Sequence, residues 1–412
     1  MALVGYEVYM NIWIINETVG SRIHGMVFRP YYFAKEFVKL GHKVTIFSGS
    51  YTHIYSKLPV VNGFSTNENI DGIEYCWLKT PVYGKSQSIG RIINAFTFVA
   101  KMFLLNKKRF GKPDAVIVTS PTPFSILNGY WIKKRTGAKL IFEVRDIWPL
   151  TLTEIGRLTD RHPFVKFLQF FENFAYKNSD KVVSVLPNAF EHMKNHNLIE
   201  EKYILIPNGI DVDDAEKRTR LSDDLLSKIP NDKFLVVYSG KFGISNNIEV
   251  LLEAAEKLKY NENITFLLVG NGVEKENCQK YIAERELTNV ILCEPIQKSS
   301  VQTLLQKCDV CYIGMKKLHL YRFGVSPNKI FDYLYSGKPV ISAIEAANDI
   351  VADAKCGISI KPDDSDEIVR AVNFLYAKTS QELEEMGRNG HEYVVRNHSY
   401  SELAKRYLDI LK

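Results

Sequence analysis

The chain has 412 residues, more than one ordinary hydrophobic core accommodates, so two domains of roughly 200 residues are expected. Hydrophobic content of 46% and aromatic content of 12% exclude a disordered or low-complexity protein. The net charge of +6 conceals an asymmetry: residues 1–200 carry 25 Lys and Arg against 15 Asp and Glu, whereas residues 201–412 carry 28 against 32. A basic first half predicts an anionic partner such as a membrane, a polyphosphate or a nucleic acid. Nucleic acid ranks last, because no helix-turn-helix, zinc-finger or RNP pattern accompanies the charge. Six scattered cysteines predict a reducing compartment and no disulfide framework.

Residues 1–9 lack the basic start and cleavage site of a signal peptide and read as an extension ahead of the true opening at Met10. Residues 12–16 predict a strand that runs into a polar loop containing Arg22, His24, Gly25 and Arg29. A helix follows over 30–40, ended by Gly41, and a strand begins at Lys43. Residues 92–105, the most apolar stretch, are flanked by Arg91 and by Lys107-Lys108-Arg109. The stretch is too short to span a bilayer; an amphipathic helix on an anionic membrane face and a helix docked on its own domain both suit it. Strands are predicted over 115–119, 139–143 and 181–185, with a helix over 163–178.

After a turn-rich junction at Pro207-Asn208-Gly209-Ile210-Asp211 and a charged, partly ordered connector, the pattern restarts. Strands are expected over 234–238, 264–269, 290–293, 310–313 and 340–342. Cys308 and Cys311 have redox or zinc spacing, but they open an apolar strand without a second pair and read as core. Continuous apolar strands alternating with helices predict α/β domains with parallel sheets covered on both faces. The expected organisation is one α/β domain over 1–206 and a second over 207–395. A final helix over 396–412 would pack back on the first domain. The two doubly wound domains would face a central cleft, with ligands at the carboxyl ends of the strands.

Residues 321–342 carry the strongest chemical signal. Ser326 and Pro327 have the side chains of a helix cap and first helical position, Ile330, Phe331 and Leu334 share one face, and Gly337 with Pro339 ends the helix. Such a helix start, with Asn328 and Lys329 in its first turn, is suited to a phosphate or diphosphate. Asp332 would reach ribose hydroxyls from the same end. Alone, the segment equally suits an ordinary αβ unit with a good cap. Two more loops should converge on it: Gly240-Lys241 after one strand and Gly270-Asn271-Gly272 after the next. Lys241 and Lys329 would neutralise a diphosphate leaving group as its charge grows, which is catalysis as well as binding. No Gly-x-Gly-x-x-Gly follows the first strand and no P-loop occurs, which removes dehydrogenase and P-loop NTPase readings. No His, Cys or carboxylate cluster at metal spacing is evident, and no metal or cofactor is expected.

Taken in order, the 207–211 junction, Gly240-Lys241, Val269-Gly270-Asn271-Gly272, residues 326–333 and residues 337–341 resemble family 4 retaining glycosyltransferases of GT-B fold. With Arg145-Asp146-Ile147-Trp148-Pro149, the chain is most similar to the WbuB-like sugar transferases of O-antigen and capsule synthesis. The resemblance implies that Lys241 contacts the donor diphosphate, that Lys329 and residues 326–328 form the phosphate-binding helix start, and that Asp332 holds the donor ribose. The acid that usually touches the donor sugar is replaced by Gly324, and Ser245-Asn246-Asn247 stands where a second basic residue is usual. His24-Gly25-Met26, Arg29, Arg145 and Asp146 would orient the acceptor, Arg145 also serving catalysis. The implied reaction takes a hexosyl or N-acetylhexosaminyl group from a nucleotide sugar, UDP-linked, to a polyprenyl-diphosphate-linked glycan. It implies a cytoplasmic protein peripheral on the inner membrane face. A nucleotide-sugar epimerase of the same fold and a silent sugar-nucleotide or glycan-binding protein are the competing readings, the second motivated by Gly324.

Overall fold

A computed structural model describes residues 9–25, 28–84, 88–120, 122–156 and 158–412. Residues 1–8 of the expected extension and Met26 of the glycine-containing loop lie outside the described residues. The chain divides into two compact units, one running to Pro207 and including Leu403–Lys412, the other spanning Asn208–Glu402.

The first unit holds an eight-stranded sheet. Its strands are β1 (Asn11–Ile15), β2 (Lys43–Gly49), β3 (Ser65–Ile70), β4 (Ile73–Leu78), β5 (Ala115–Thr119), β6 (Lys139–Val144), β7 (Lys181–Ser184) and β8 (Tyr203–Leu205), in the order β3-β4-β2-β1-β5-β6-β7-β8. All neighbours are parallel except the β3–β4 hairpin. β1 and β5 are buried throughout, as strands covered on both faces must be. The sheet order reverses between β1 and β5, and that switch point is where such folds open a ligand crevice.

The second unit holds a six-stranded parallel sheet of β9 (Phe234–Lys241), β10 (Ile264–Asn271), β11 (Val290–Cys293), β12 (Val310–Gly314), β13 (Val340–Ala343) and β14 (Gly357–Ile360). Its order is β11-β10-β9-β12-β13-β14. Successive side chains alternate between two cores: Leu235, Val237, Leu267, Cys311 and Ile313 enter one, Val236, Tyr238, Phe266, Val310 and Tyr312 the other. The switch point falls between β9 and β12. The connector after Asp211 is more ordered than expected, folding into helices Val212–Glu216 and Asp223–Lys228. Asp211 and Ser222 cap them by accepting from the Asp214 and Leu225 N–H groups.

All six cysteines are buried free thiols. Burial raises the Cys311 pKa to about 12 and pushes the Cys308 thiol well up too, so both act as apolar core groups.

Arg29 opens the helix Arg29–Lys39 and lies in the first core, where it corrects the expectation that it meets an acceptor. Its side chain and that of Glu143 on β6 are each 2% exposed and pair at 3.1 Å. The guanidinium also donates to the Ile206 and Pro207 carbonyls at 2.7 and 2.6 Å, fastening the end of the unit. Phe33 from the same helix packs edge-on against Tyr407 at 4.9 Å. Replacing Arg29 by Ala strands a buried carboxylate and is expected to cost about 3–5 kcal/mol in chemical denaturation. Removing both charges in Arg29→Met with Glu143→Leu should recover most of that loss; equal losses in the single and double variants would refute the pairing.

Candidate functional site

The helix Asn328–Tyr335 begins one residue later than the capping pattern predicts. Pro327 is the extended residue before it, and the Ser326 hydroxyl, expected to cap, accepts instead from the Asn208 N–H at 3.0 Å. Asn208 Nδ2 donates to the Ser326 carbonyl at 2.7 Å, while Asn348 brackets Val325 by accepting from its N–H and donating to its carbonyl at 2.8 and 3.0 Å. Two asparagine amides thus fix the loop that aims the helix start. Sequence reasoning placed Asn208 at a junction and passed over Asn348; only the pairing in space reveals either clamp. The first N–H groups of the helix carry the partial positive charge of its end.

Below that end, Tyr333 ties the helix to β9. The Ser239 N–H donates to the Tyr333 hydroxyl at 2.8 Å, and the hydroxyl donates back to the Ser239 carbonyl at 3.1 Å. Gly240 follows, and a side chain on it would lie 3.2 Å from Lys329 Cε and Nζ. Gly270 pairs with Gly240 across β9 and β10, and a Cβ at 270 would lie 1.8 Å from the Gly240 carbonyl oxygen. At 272 the clash would be with the Phe242 carbonyl at 2.2 Å. These glycines answer first to their neighbours' backbone. Asn271 is exposed and accepts from the Gly272 N–H, and Lys241 is exposed at the strand end, its carbonyl receiving the Tyr238 hydroxyl at 2.7 Å.

Lys329 is the electrostatic centre. Its ammonium donates to Tyr238 Oη at 2.6 Å and to Asn246 Oδ1 at 2.9 Å and sits 4.3 Å from the Tyr238 ring centroid. Among the described residues no carboxylate pairs with it, and burial lowers its pKa to about 7. Two of its three protons are engaged by neutral acceptors, leaving one for a ligand. Asn246 stands in the tripeptide where a second basic residue was expected, and it supports the lysine instead of replacing it.

Asp332, one turn on, already holds a cation: Lys298 Nζ meets both carboxylate oxygens at 2.5 Å. Ribose hydroxyls would share that carboxylate with Lys298, a partner the sequence pattern did not disclose. Asn328 is exposed at the helix start. Gly324 is buried, with φ +94° and ψ 173° at the end of the turn His319–Phe323. That backbone region is essentially reserved for glycine, so a carboxylate-bearing residue could not simply be restored here.

In the first unit His24 departs from its expected role. It is buried, its ring nitrogens engaged by the Lys57 carbonyl at 2.9 Å and by Glu68 at 3.1 Å, with the Trp77 ring 4.9 Å away. Gly25 makes a tight turn at φ +88°, where a Cβ would meet Ser56 Oγ at 2.5 Å. Arg145 and Asp146 remain accessible beyond β6, the Arg145 N–H donating to Ser120 Oγ at 2.8 Å. Asp146 is reached by solvent yet crowded by protein, which raises its pKa against the pull of Arg145. Glu17, just after β1 at the switch point, was missed because it resembles any loop acid. It is buried, burial raises its pKa, and Thr122 donates to it.

Tyr333→Phe keeps the ring and deletes both bonds to Ser239. It is expected to lower stability by about 1–2 kcal/mol in thermal or urea unfolding; an unchanged midpoint would show that the Tyr333 hydroxyl does not hold β9.

The family description "Glycosyltransferase Family 4" matches residues 23–214, and "Glycosyl transferases group 1" matches residues 225–393. WcaI of Escherichia coli K12, named as a colanic acid biosynthesis glycosyl transferase, is 25% identical over 289 residues, covering 68% of this chain and 70% of that one. WbjE of Pseudomonas aeruginosa, named as a glycosyltransferase, is 21% identical over 70% of this chain and 71% of its own. In fold the chain is similar to sucrose-phosphate synthase of Thermosynechococcus elongatus, with TM-score 0.73, 15% identity and 97% of each chain covered. Anabaena HepE, solved with UDP and glucose, gives TM-score 0.67 at 15% identity over 98% of this chain and 99% of that one. WaaG, of lipopolysaccharide biosynthesis, gives 0.68 at 14% over 97% and 99%. Two parallel-sheet α/β units of GT-B type, matched by both family descriptions over most of the length, make this chain a member of the family 4, group 1 glycosyltransferases.

Proposed function

We propose that the protein is a retaining glycosyltransferase. It moves a hexosyl or N-acetylhexosaminyl group from a UDP-sugar to a polyprenyl-diphosphate-linked glycan during synthesis of a bacterial surface polysaccharide. The observation that carries the donor half is Lys329, a largely desolvated ammonium with neutral partners beside a helix start and the exposed Lys241. A diphosphate supplies the missing counter-charge. Charge builds on that diphosphate as the glycosidic bond breaks, so these groups stabilise the transition state more than the bound donor. The departing phosphate oxygen then accepts the acceptor's hydroxyl proton on the same face, which gives retention without a glycosidase-like carboxylate pair. The names of WcaI and WaaG favour polysaccharide or lipopolysaccharide synthesis, and HepE favours UDP.

Lys329→Met separates binding from folding. An unfolded Lys329 binds its proton up to about pH 10.4, a folded one only up to about 7. Folding therefore sheds a proton between those values, and the group's cost to stability is greatest below pH 7 and fades as pH rises. The variant should melt a few degrees higher than wild type at pH 7, with the advantage shrinking toward pH 10. Wild type should gain roughly 2.7 kcal/mol from UDP at about one hundred times its dissociation constant, a gain the variant loses. Because the diphosphate binds the charged lysine, affinity should weaken by up to about tenfold per pH unit above 7. No stabilisation by UDP, GDP or TDP would overturn the donor assignment. Binding without transfer would turn the reading to a silent binding protein, and conversion without acceptor to an epimerase.

Membrane contact is the acceptor-side part of the proposal. The helix Ile89–Leu104 buries Asn94, Ala95, Phe98, Val99 and Met102 in its own unit, while Ile89 and Leu104 are each 76% exposed. Its outer face continues through Phe96 to Phe167, 6.2 Å away on the helix Pro163–Asn178, where Phe170 is 61% exposed. Cations rim this surface: Lys107 and Arg135 lie over Trp131 at 5.0 and 4.1 Å, and Lys134 over Tyr130 at 5.5 Å. Apolar side chains ringed by bases that meet no carboxylate among the described residues suit an anionic lipid headgroup layer. Among the described residues no helix is long and apolar enough to cross a membrane. In co-sedimentation with phosphatidylglycerol vesicles, Lys108→Ala with Lys134→Ala should weaken binding by roughly 2 kcal/mol, about 30-fold. Equal retention by neutral phosphatidylcholine would remove the electrostatic half of this contact.

A further inference from the structure

Away from the donor site, a cluster of side chains in the first unit has ligand character. Glu172 sits on the helix Pro163–Asn178; His192 sits on the turn Phe190–Met193, which follows β7; and His196 ends the 3-10 turn Lys194–His196. One ligand atom from each lies within 4.8 Å of the others. We propose that Glu172, His192 and His196 bind one divalent transition-metal ion, of the Zn2+ class, as a clasp between the two segments that flank β7.

The spacing supplies the first argument. His192 and His196 are four residues apart, one turn of a helix, so their rings share a side, with centroids 4.4 Å apart. Neutral imidazole is a common ligand for such a cation, and two of them on one side can share it. His192 Nε2 lies 3.5 Å from Glu172 Oε2. That is long for a hydrogen bond but close to the roughly 3.3 Å edge of a tetrahedron whose metal–ligand bonds are about 2.0–2.1 Å.

The support around the cluster supplies the second. Glu172 is buried and fixed from behind: the Tyr176 hydroxyl donates to Oε1 at 2.7 Å and Gln169 Nε2 donates to Oε2 at 2.5 Å. Outer groups of this kind orient a ligating carboxylate and sharpen its affinity. His192 is nearly buried, with 10% of its side chain exposed, and His196 is half-buried, so a metal would enter past His196 and could keep a water as fourth ligand there. Two imidazoles and one carboxylate favour zinc, nickel or copper over magnesium or calcium, which prefer all-oxygen shells. No step of glycosyl transfer is assigned to this ion; it would tie the helix 163–178 to the segment after β7.

Full-length protein stripped with chelator and desalted can be titrated with Zn2+ by calorimetry and melted with and without the metal. The expected result is one saturable Zn2+ per chain and a higher melting temperature. His196→Ala, at a half-buried position, should weaken binding by at least about 100-fold, the upper end of what loss of an outer-shell partner costs, and abolish the thermal gain. The shape-conserving Glu172→Gln should weaken it as well. Co2+ loaded into wild type should give the visible absorption of a four-coordinate nitrogen–oxygen site. Absence of saturable binding, equal binding by wild type and His196→Ala, or a Co2+ spectrum of the free hexaaqua ion would each overturn the site.

Discussion

Lys329 places an ammonium where water is scarce and gives it only neutral acceptors. A lysine so placed costs folding energy, and most of the surrounding architecture keeps that cost from being relieved by movement. Tyr238 accepts from the lysine and donates its own hydroxyl hydrogen to the Lys241 carbonyl, so the tip of β9 and the helix start share one hydrogen-bond chain. Tyr333 binds Ser239, the next residue of β9, through both its backbone groups, and the asparagines at 208 and 348 hold the loop on the far side. The strain-free escape, a swing of the long side chain into solvent, is opposed by packing against the Tyr238 ring. A charge kept unneutralised by rigid surroundings is preorganised for an anion, because no reorganisation remains when the anion arrives.

The other charges of the molecule show the contrast. Asp332, on the same helix, is met by Lys298, and Arg29 in the first core by Glu143. Those pairs satisfy the rule that a buried charge needs a partner. Glu17 obeys it differently: burial holds its carboxyl toward the neutral form, and Thr122 supplies a hydrogen bond. Both sheets thus present a titratable group at their switch points, a lysine beside β9 and an acid after β1, and each has its pKa moved toward neutrality by desolvation. Perturbed groups at the carboxyl ends of parallel strands mark sites more often than structural pairs do.

Strands were legible because burial on both faces leaves continuous apolar runs, as in β1, β5 and β10. The 326–333 segment was legible as a helix because a proline marks its start and an apolar stripe at helical spacing marks its buried face. What stayed hidden was the partner of each polar side chain. His24 and Arg29 have the chemistry of acceptor ligands, and only their burial against Glu68 and Glu143 shows them to be structural. Ser326 has the chemistry of a cap, and its hydroxyl turns to Asn208, more than one hundred residues away in sequence. Lys298 and Asn348 lie in stretches without any pattern, and their roles exist only in the folded contact. His192 and His196 show the same limit, since their spacing gains meaning only when Glu172 arrives from another helix.

Cations serve both expected anions of this enzyme, but at different depths, and depth decides how each responds to salt. Lys134 and Arg135 lie exposed on aromatic faces, where an attraction for anionic lipid would be screened within about 8–10 Å at physiological salt, whereas Lys107 is partly buried, which lowers its pKa to about 8. Lys329 is shielded by protein, so ions in solution screen it far less. Raising ionic strength should therefore release the protein from vesicles while leaving the nucleotide dissociation constant within a few-fold of its low-salt value. The two sensitivities part only if the aromatic rim and the lysine beside β9 are separate electrostatic sites. A common loss with salt would mean that the nucleotide reads the exposed Lys241 more than the buried Lys329, which would move the weight of donor recognition from the helix start to the tip of the strand.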